Sequence, residues 1–389
     1  MKIKSKDVKR FLQFARKFWD SHFRDQSSTV VLSFNASNYT ISMQRQGLVL
    51  LYLCNRVDSA SDHETIAVPL DLLRDCVNSS EAITLRILNQ DGGQFIQASW
   101  QDGPMPRMNE YELEAMPNEE LIPDLAWHTI DERFLTALAR TSEVADDNSV
   151  RYGLSCIELD GRHGSVTATD GNQLLRYDGF SFPWQSEALL IRKNKVMQCK
   201  DLHSGRNVEL ARQENDLFIR FDAYTLRIPL ERGTRFPNVA QVIPDRQKST
   251  NRVLLDTRDC DALTNCLLKL PGESEDLKPV ILDLNGHVAV VGKSGQGTTC
   301  TVCLELDRSL HLGPDRRIGI PRQNLSFAAK IGADSLFLYG KDQPILACGQ
   351  RMQYVWMPLS NLDLTLDLTQ TQCIKTSTVA FSSDRRRAS

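Results

Sequence analysis

The reactive side chains of this 389-residue chain are scattered and form no catalytic set. Cys300-Thr301-Val302-Cys303 has the spacing of metal and redox sites, yet it lies in strand-like text from Thr298 to Leu306, where residues three apart point to opposite faces. Reduced structural thiols are expected there. Gly292-Lys293-Ser294-Gly295-Gln296-Gly297 has the composition of a phosphate loop in the wrong order. Its Lys-Ser precedes the later glycines instead of closing the pattern before a helix, so a hairpin turn is the better reading. The seven histidines (22, 63, 128, 163, 203, 287 and 311) are dispersed, and neither HExxH nor a nucleophile elbow occurs. The chain reads as a non-enzyme that needs no metal and no cofactor.

Charge is the more informative chemistry. The formal net charge is only −3, but residues 1–25 carry eight Lys and Arg against three Asp. From Met108 to Trp127 there are six carboxylates and no Lys or Arg. Segregation of this kind lets one surface attract an anion. Placed on a helix from Lys6 to Trp19, the apolar Val8, Phe11, Leu12, Ala15, Phe18 and Trp19 fall on one face, while Lys6, Lys9, Arg10, Arg16 and Lys17 gather opposite. One side is built to pack and the other is a basic stripe.

The elements that position this stripe recur. Segments of helical periodicity followed by strand-like text begin at Lys6, Asp131 and Thr257, spaced by 125 and 126 residues. Second helices are expected to open at Pro69, Arg192 and Pro321, spaced by 123 and 129 residues. Ile66-Ala67-Val68-Pro69 and Ile318-Gly319-Ile320-Pro321 each end a strand on a proline able to start a helix. Turn signals break the period-2 text at Gln90-Asp91-Gly92-Gly93, Glu214-Asn215-Asp216, Asn285-Gly286 and Tyr339-Gly340-Lys341-Asp342. The pattern is α+β, repeated three times, in a chain long enough for several cores. Its apolar runs are far too short to span a membrane and its first residues lack a signal core, so no membrane association and a cytoplasmic location are expected. Ten irregularly spaced cysteines agree with a reducing compartment.

Four motifs stand in order along this repeat: Val150-Arg151-Tyr152-Gly153-Leu154, Ala168-Thr169-Asp170-Gly171-Asn172-Gln173-Leu174, Arg235-Phe236-Pro237-Asn238-Val239 and Tyr354-Val355-Trp356-Met357-Pro358-Leu359. With them the chain resembles the beta sliding clamp of bacterial DNA polymerase III. The resemblance covers about residues 1–360 and is strongest in the second repeat and the last strand. It implies three sliding-clamp domains, at 1–122, 123–247 and 248–362, each of antiparallel sheets with two helices, forming half of a ring. The tail at 363–389 continues past the family's usual end, is rich in Thr and Ser, finishes on Arg385-Arg386-Arg387, and is expected to be disordered. Geometry asks for a homodimer: six lining helices about 10 Å thick would close a hole only about 9 Å wide, whereas twelve leave about 28 Å for a duplex roughly 20 Å wide.

The resemblance also implies a function. Such a ring holds double-stranded DNA by enclosure, with weak, sequence-independent phosphate contacts that permit sliding. Candidates on the inner surface are Lys9, Arg10, Arg16, Lys17 and Arg24 of the first repeat with Arg192 and Lys193 of the second, and Asn148 and Tyr152 fall on a DNA-contacting loop. Partners of the implied ring are the DNA polymerase III core, the clamp loader and repair polymerases, which insert short apolar peptides into a pocket. Positions matching that pocket are Leu154, Thr169, Gly171, Asn172, Gln173, Leu174, Pro237, Gln241, Val242, Leu277, Val355, Met357 and Pro358. Asn172 and Gln173 stand where the family commonly has His and Arg, and Gln241 replaces a frequent Arg. These departures leave open a clamp-like paralogue with altered partner peptides.

Overall fold

Alternating β-branched and aromatic residues form the strands, and a proline or an Asp side chain opens several of the helices. The computed structural model of the chain describes residues 1–16, 29–45, 47–56, 63–90, 93–117, 122–147, 153–272, 279–294, 301–340, 342–360, 362, 364–366 and 371–378. The first run of elements is β1 (Lys2–Lys4), α1 (Ser5–Ala15), β2 (Thr29–Phe34), β3 (Asn38–Arg45), β4 (Leu48–Asn55), β5 (Glu64–Pro69), α2 (Leu70–Cys76), β6 (Ala82–Gln90), β7 (Gly93–Asp102) and β8 (Met105–Glu112). The second is β9 (His128–Thr129), α3 (Arg133–Val144), β10 (Cys156–Asp160), β11 (Ser165–Thr169), β12 (Gln173–Asp178), β13 (Ala188–Arg192), α4 (Lys200–His203), β14 (Glu209–Gln213), β15 (Asp216–Phe221) and β16 (Tyr224–Pro229). The third is β17 (Asn251–Leu254), α5 (Thr257–Cys266), β18 (Pro279–Asp283), β19 (Ala289–Lys293), β20 (Thr301–Glu305), β21 (Leu310–Leu312), β22 (Arg317–Pro321), α6 (Arg322–Lys330), β23 (Ser335–Leu338), β24 (Ile345–Gly349) and β25 (Met352–Trp356), after which comes β26 (Thr371–Lys375). Strand, helix, four strands, helix, three strands thus occurs three times, with β21 and β26 as additions to the third copy.

The chain divides into two compact units. The first holds residues 1–143, 155–166 and 180–234, and the second holds 144–154, 167–179 and 235–389. In the first, β1-β6-β7-β8 form one sheet and β5-β2-β3-β4-β16-β15-β14-β9 another, all antiparallel, while β10 pairs with β13. Its core includes Phe14 stacked on Tyr224 at 4.8 Å and Tyr52 against Tyr224 at 4.7 Å. Buried Asp7 accepts a hydrogen bond from the Tyr39 hydroxyl at 2.8 Å, which satisfies a carboxyl that burial would otherwise penalise. In the second unit, β12-β25-β24-β23-β17-β21 lie side by side, and β22-β18-β19-β20-β26 form a separate sheet.

Local chemistry sets the helix starts. Pro69 and Pro321 are the N-caps of α2 and α6, as the two matching tetrapeptides predict. Asp256 caps α5 by accepting from the Arg258 amide at 2.8 Å. The second helix of the middle repeat differs from expectation. Arg192 ends strand β13, where Leu189 and Ile191 are buried, and Lys193 donates its amide to the Ser155 carbonyl at 2.8 Å. Asn194 then caps a single 3-10 turn, Lys195–Gln198, and α4 follows, so Arg192 and Lys193 lie before the helical segment. Of the first predicted helix, Phe18 and Trp19 lie outside the described residues, and Val8, Phe11, Leu12, Phe14 and Ala15 are buried. The CxxC pair is half described: Cys303 is buried on β20, and Cys300 lies outside the described residues, as do Gly295 to Gly297 of the glycine-rich stretch.

The tail requires a correction. Residues 371–375 are not disordered but form β26, parallel to β20, because β20 offers an unfilled row of backbone donors and acceptors that a five-residue segment can complete. Residues 379–389 lie outside the described residues.

Candidate functional sites

On α1 the basic stripe is solvent-facing: Lys6, Lys9, Arg10 and Arg16 are exposed while the opposite face is buried. The Tyr52 hydroxyl holds the Arg10 guanidinium and raises its pKa, so the charge is fixed in place on the helix. Lys17, Arg24, Asn148 and Tyr152 lie outside the described residues. Arg192 is exposed but pairs with Glu231 at 3.2 Å, which neutralises part of its field. The corresponding first helix of the second repeat carries Arg133 paired with Asp131 and Arg140 paired with Glu143. Among the described residues of these two helices, α1 therefore contributes most of the positive charge that no carboxylate pairs.

The second site is an apolar groove of about 410 Å³ in the second unit. Leu154, Thr169, Gly171, Asn172, Gln173, Leu174, Pro237, Val242, Val355 and Met357 all line it. Gln241 and Pro358 do not: Gln241 is exposed outside the lining, and Pro358 is buried past the end of β25. Leu277 lies outside the described residues. Four further residues, Asn238, Val239, Pro344 and Trp356, complete the wall. Asn238, Val239 and Trp356 belong to the quoted motifs and were within reach of the sequence. Pro344 was not, since it is brought in by the turn between β23 and β24.

Pairing of β12 with β25 builds the groove. Leu174 faces Val355 and Gln173 faces Trp356 across the antiparallel ladder, so segments distant in sequence share one surface. Beneath it, Leu174 and Val355 join Phe337, Tyr339, Leu346 and Cys348 in a buried cluster, with Val239 and Ile243 packed against it. Well-packed floors of this kind keep a groove open in the absence of ligand. Val242 and Met357 stand above the floor, 52% and 47% exposed. Large apolar side chains left half in water beside a groove mark a surface that gains by being covered.

One wall is held rigidly. Asp170 Oδ1 accepts from the amides of Asn172 at 2.8 Å and Gln173 at 2.9 Å, and Thr169 Oγ1 donates to the Gln173 carbonyl at 2.6 Å. This turn needs φ of +92° at position 171, which glycine adopts without strain. The Gln173 side chain is tied down as well. Its Nε2 donates to Asp170 Oδ2 at 2.9 Å, and its Oε1 accepts from Asn324 Nδ2 at 3.2 Å and from the Tyr354 hydroxyl. Burial pushes the Tyr354 phenol pKa well above its ordinary value, so it stays a neutral donor. Gln173 thus fixes the groove wall through its neighbours, whereas Asn172 remains exposed at the rim.

No helix among the described residues is long and apolar enough to cross a membrane. No family model and no curated protein matches the sequence. Solved structures do. The DNA polymerase III subunit beta of Pseudomonas aeruginosa is similar over 92% of this chain and 99% of its own, at a TM-score of 0.72 and 18% identity. The beta sliding clamp of Caulobacter crescentus gives 0.72 at 15% identity, covering 92% of this chain and 98% of its own. The DNA polymerase III subunit beta of Borrelia burgdorferi, in complex with a natural product, gives 0.74 at 12% identity over 92% and 97%. In all three the likeness spans nearly the whole chain, and the chain has the fold of the bacterial DNA polymerase III beta sliding clamps.

Proposed function

We propose that the protein is a DNA sliding clamp, a non-enzymatic processivity factor that encircles duplex DNA as a dimeric ring and tethers DNA polymerase and other replication and repair proteins to it. The observation that carries this reading is the way consecutive repeats join edge to edge. The last strand of the second repeat, β16, adds antiparallel to β4 of the first, and β25 of the third adds antiparallel to β12 of the second. A repeat joined in this manner can be continued by a second copy, because among the described residues β8 ends its sheet with no outer neighbour. Domains at 1–122, 123–247 and 248–362, doubled by head-to-tail association, supply the twelve helices that a duplex-sized hole requires, about 28 Å across.

Function follows from enclosure. Lys9, Arg10 and Arg16 on α1 attract phosphate without reading bases, which leaves the ring free to slide. The apolar groove suits short peptides of the polymerase III core, the clamp loader and repair polymerases, since Leu, Val and adaptable Met can repack around several sequences. Its intact apolar lining favours this reading over a paralogue with altered partners. Such a protein works in the cytoplasm, where the replicating DNA is. The test is topological. Clamps loaded on nicked circular DNA are expected to dissociate slowly and to be lost at once when the circle is linearised. Equal loss from both forms would refute enclosure.

A further inference from the structure

The rule that joins the repeats also identifies the two strands at which a second copy must join. In each junction the last strand of one repeat pairs antiparallel with the third strand after the first helix of the preceding repeat: β16 on β4, and β25 on β12. The corresponding elements left over are β8, the last strand of the first repeat, and β20, the third strand after α5. Among the described residues β8 presents a bare edge eight residues long, with Met105 and Met108 59% and 62% exposed. The edge of β20 is not bare. It carries β26, in parallel, with Cys303 opposite Cys373.

The segment leading to β26 is fastened at three places. Leu359 donates its amide to the Gly319 carbonyl at 2.9 Å. Leu362, Leu364 and Leu366 pack on the face formed by Ile281, Ala289, Val291 and Cys303, and Lys293 Nζ donates to the Thr365 carbonyl at 2.8 Å. Beyond β26, the Thr376 hydroxyl sits 2.6 Å from Asp259 Oδ1 and 2.8 Å from Asp307 Oδ1. β26 itself is the weakest part of this arrangement. Gln372, Cys373 and Lys375 are exposed, only five residues pair, and parallel pairing is slightly less stable per residue than antiparallel. An incoming β8 would offer eight residues in the antiparallel sense that both internal junctions use.

We propose that β26 is a removable strap that occupies, within one chain, the sheet edge at which β8 of a second copy joins, so that self-association is governed by competition between the C-terminal strand and the second copy. The proposal rests on the ring reading above. A tethered strand competes at a local concentration on the order of millimolar. If the strap is docked in about 90–99% of free chains, and both chains of the ring must release one, it raises the apparent dimer dissociation constant about 100- to 10,000-fold.

The experiment compares sedimentation over a concentration series for the full chain, for a chain ending at Leu366 that keeps the apolar fastening, and for full-length Thr376→Asp. The last places a carboxylate against Asp259 and Asp307 and loosens the anchor without truncation. Dimerisation at least tenfold tighter in both variants is expected. Adding Met105→Lys and Met108→Lys to the shortened chain should return it to monomer. An unchanged or weaker dimer in the shortened chain and in Thr376→Asp would overturn the strap while leaving the ring intact, since β26 would then be a bystander or part of the interface. A shortened-chain dimer indifferent to the β8 substitutions would overturn the assignment of the incoming strand. Monomers at every concentration in all variants would overturn the ring reading and the strap with it.

Discussion

Truncating the two half-exposed apolar side chains at the groove is expected to weaken peptide binding by a calculable amount. Val242 and Met357 are 52% and 47% exposed, so about half of each side chain remains to be buried by a ligand. Complete burial of such a side chain is worth about 1.5–3 kcal/mol, and half of that, less what an alanine methyl retains, leaves about 1 kcal/mol per position. Val242→Ala and Met357→Ala should therefore each raise the Kd of a short apolar clamp-binding peptide about fivefold, and together about 25-fold if the two add. Fluorescence anisotropy with a labelled peptide measures this directly. Unfolding in urea should change by less than about 0.5 kcal/mol for either variant, because neither side chain belongs to the core. Leu310 and Leu312, 61% and 53% exposed on β21 and absent from the groove lining, provide the control. Unchanged binding by the double variant, or an equal loss on truncating Leu310 and Leu312, would refute the assignment of the groove.

Three other outcomes are expected. Tyr39→Phe removes the donor at 2.8 Å from buried Asp7 and should cost about 1–3 kcal/mol in urea unfolding, with groove binding unaffected. Replacing Lys9, Arg10 and Arg16 together by Ala should weaken DNA retention and flatten its log–log salt dependence by up to about 0.9 per lost phosphate contact, about 2.7 in all, read from retention on circular DNA at several salt concentrations. The strap should loosen in acid. Hydrogen bonds from the Ser377 and Thr376 hydroxyls, with the Ser377 amide, hold the Asp307 carboxyl down at about 2. A depressed carboxyl stabilises the docked state above its ordinary pKa near 4, and that contribution is lost as pH falls from about 4 to about 2. Buried Asp259 and the Arg308 guanidinium, 3.8 Å from Asp307, face the same anchor, so hydrogen exchange at β26 should rise over that window, and the rise should be smaller in Thr376→Val, which keeps the Ser377 donors and loses the Thr376 hydroxyl.

Several elements were legible because their signals are local. The amphipathic pattern of α1 comes from the 3.6-residue period acting on Val8, Phe11, Leu12 and Ala15, and the structure buries all four. Pro69 and Pro321 open helices because a proline lacks the amide that the first helical turn leaves unpaired. The middle repeat misled where two local readings competed. Arg192 and Lys193 suit a helix start, but Leu189 and Ile191 alternate into a sheet, and pairing of β13 with β10 keeps the chain extended until Asn194. No pattern within residues 371–375 announces β26, because a short Thr- and Gln-containing strand takes its conformation from the β20 edge it completes.

The sequence by itself determined the triplicate order of elements and the basic face of α1, since periodicity, helix caps and turn residues act over a few positions, whereas the residues that line the groove were legible only through the resemblance of their motifs to a known family. Only the tertiary structure decided that Leu174 meets Val355, that Pro344 closes the groove wall, that Arg192 is spent on Glu231, and that the tail returns to β20. Each of these depends on which strand edges and charges are left unpaired once the chain has packed. Unpaired backbone edges and charges seek partners across any distance in sequence, so no local reading of the residues contains them.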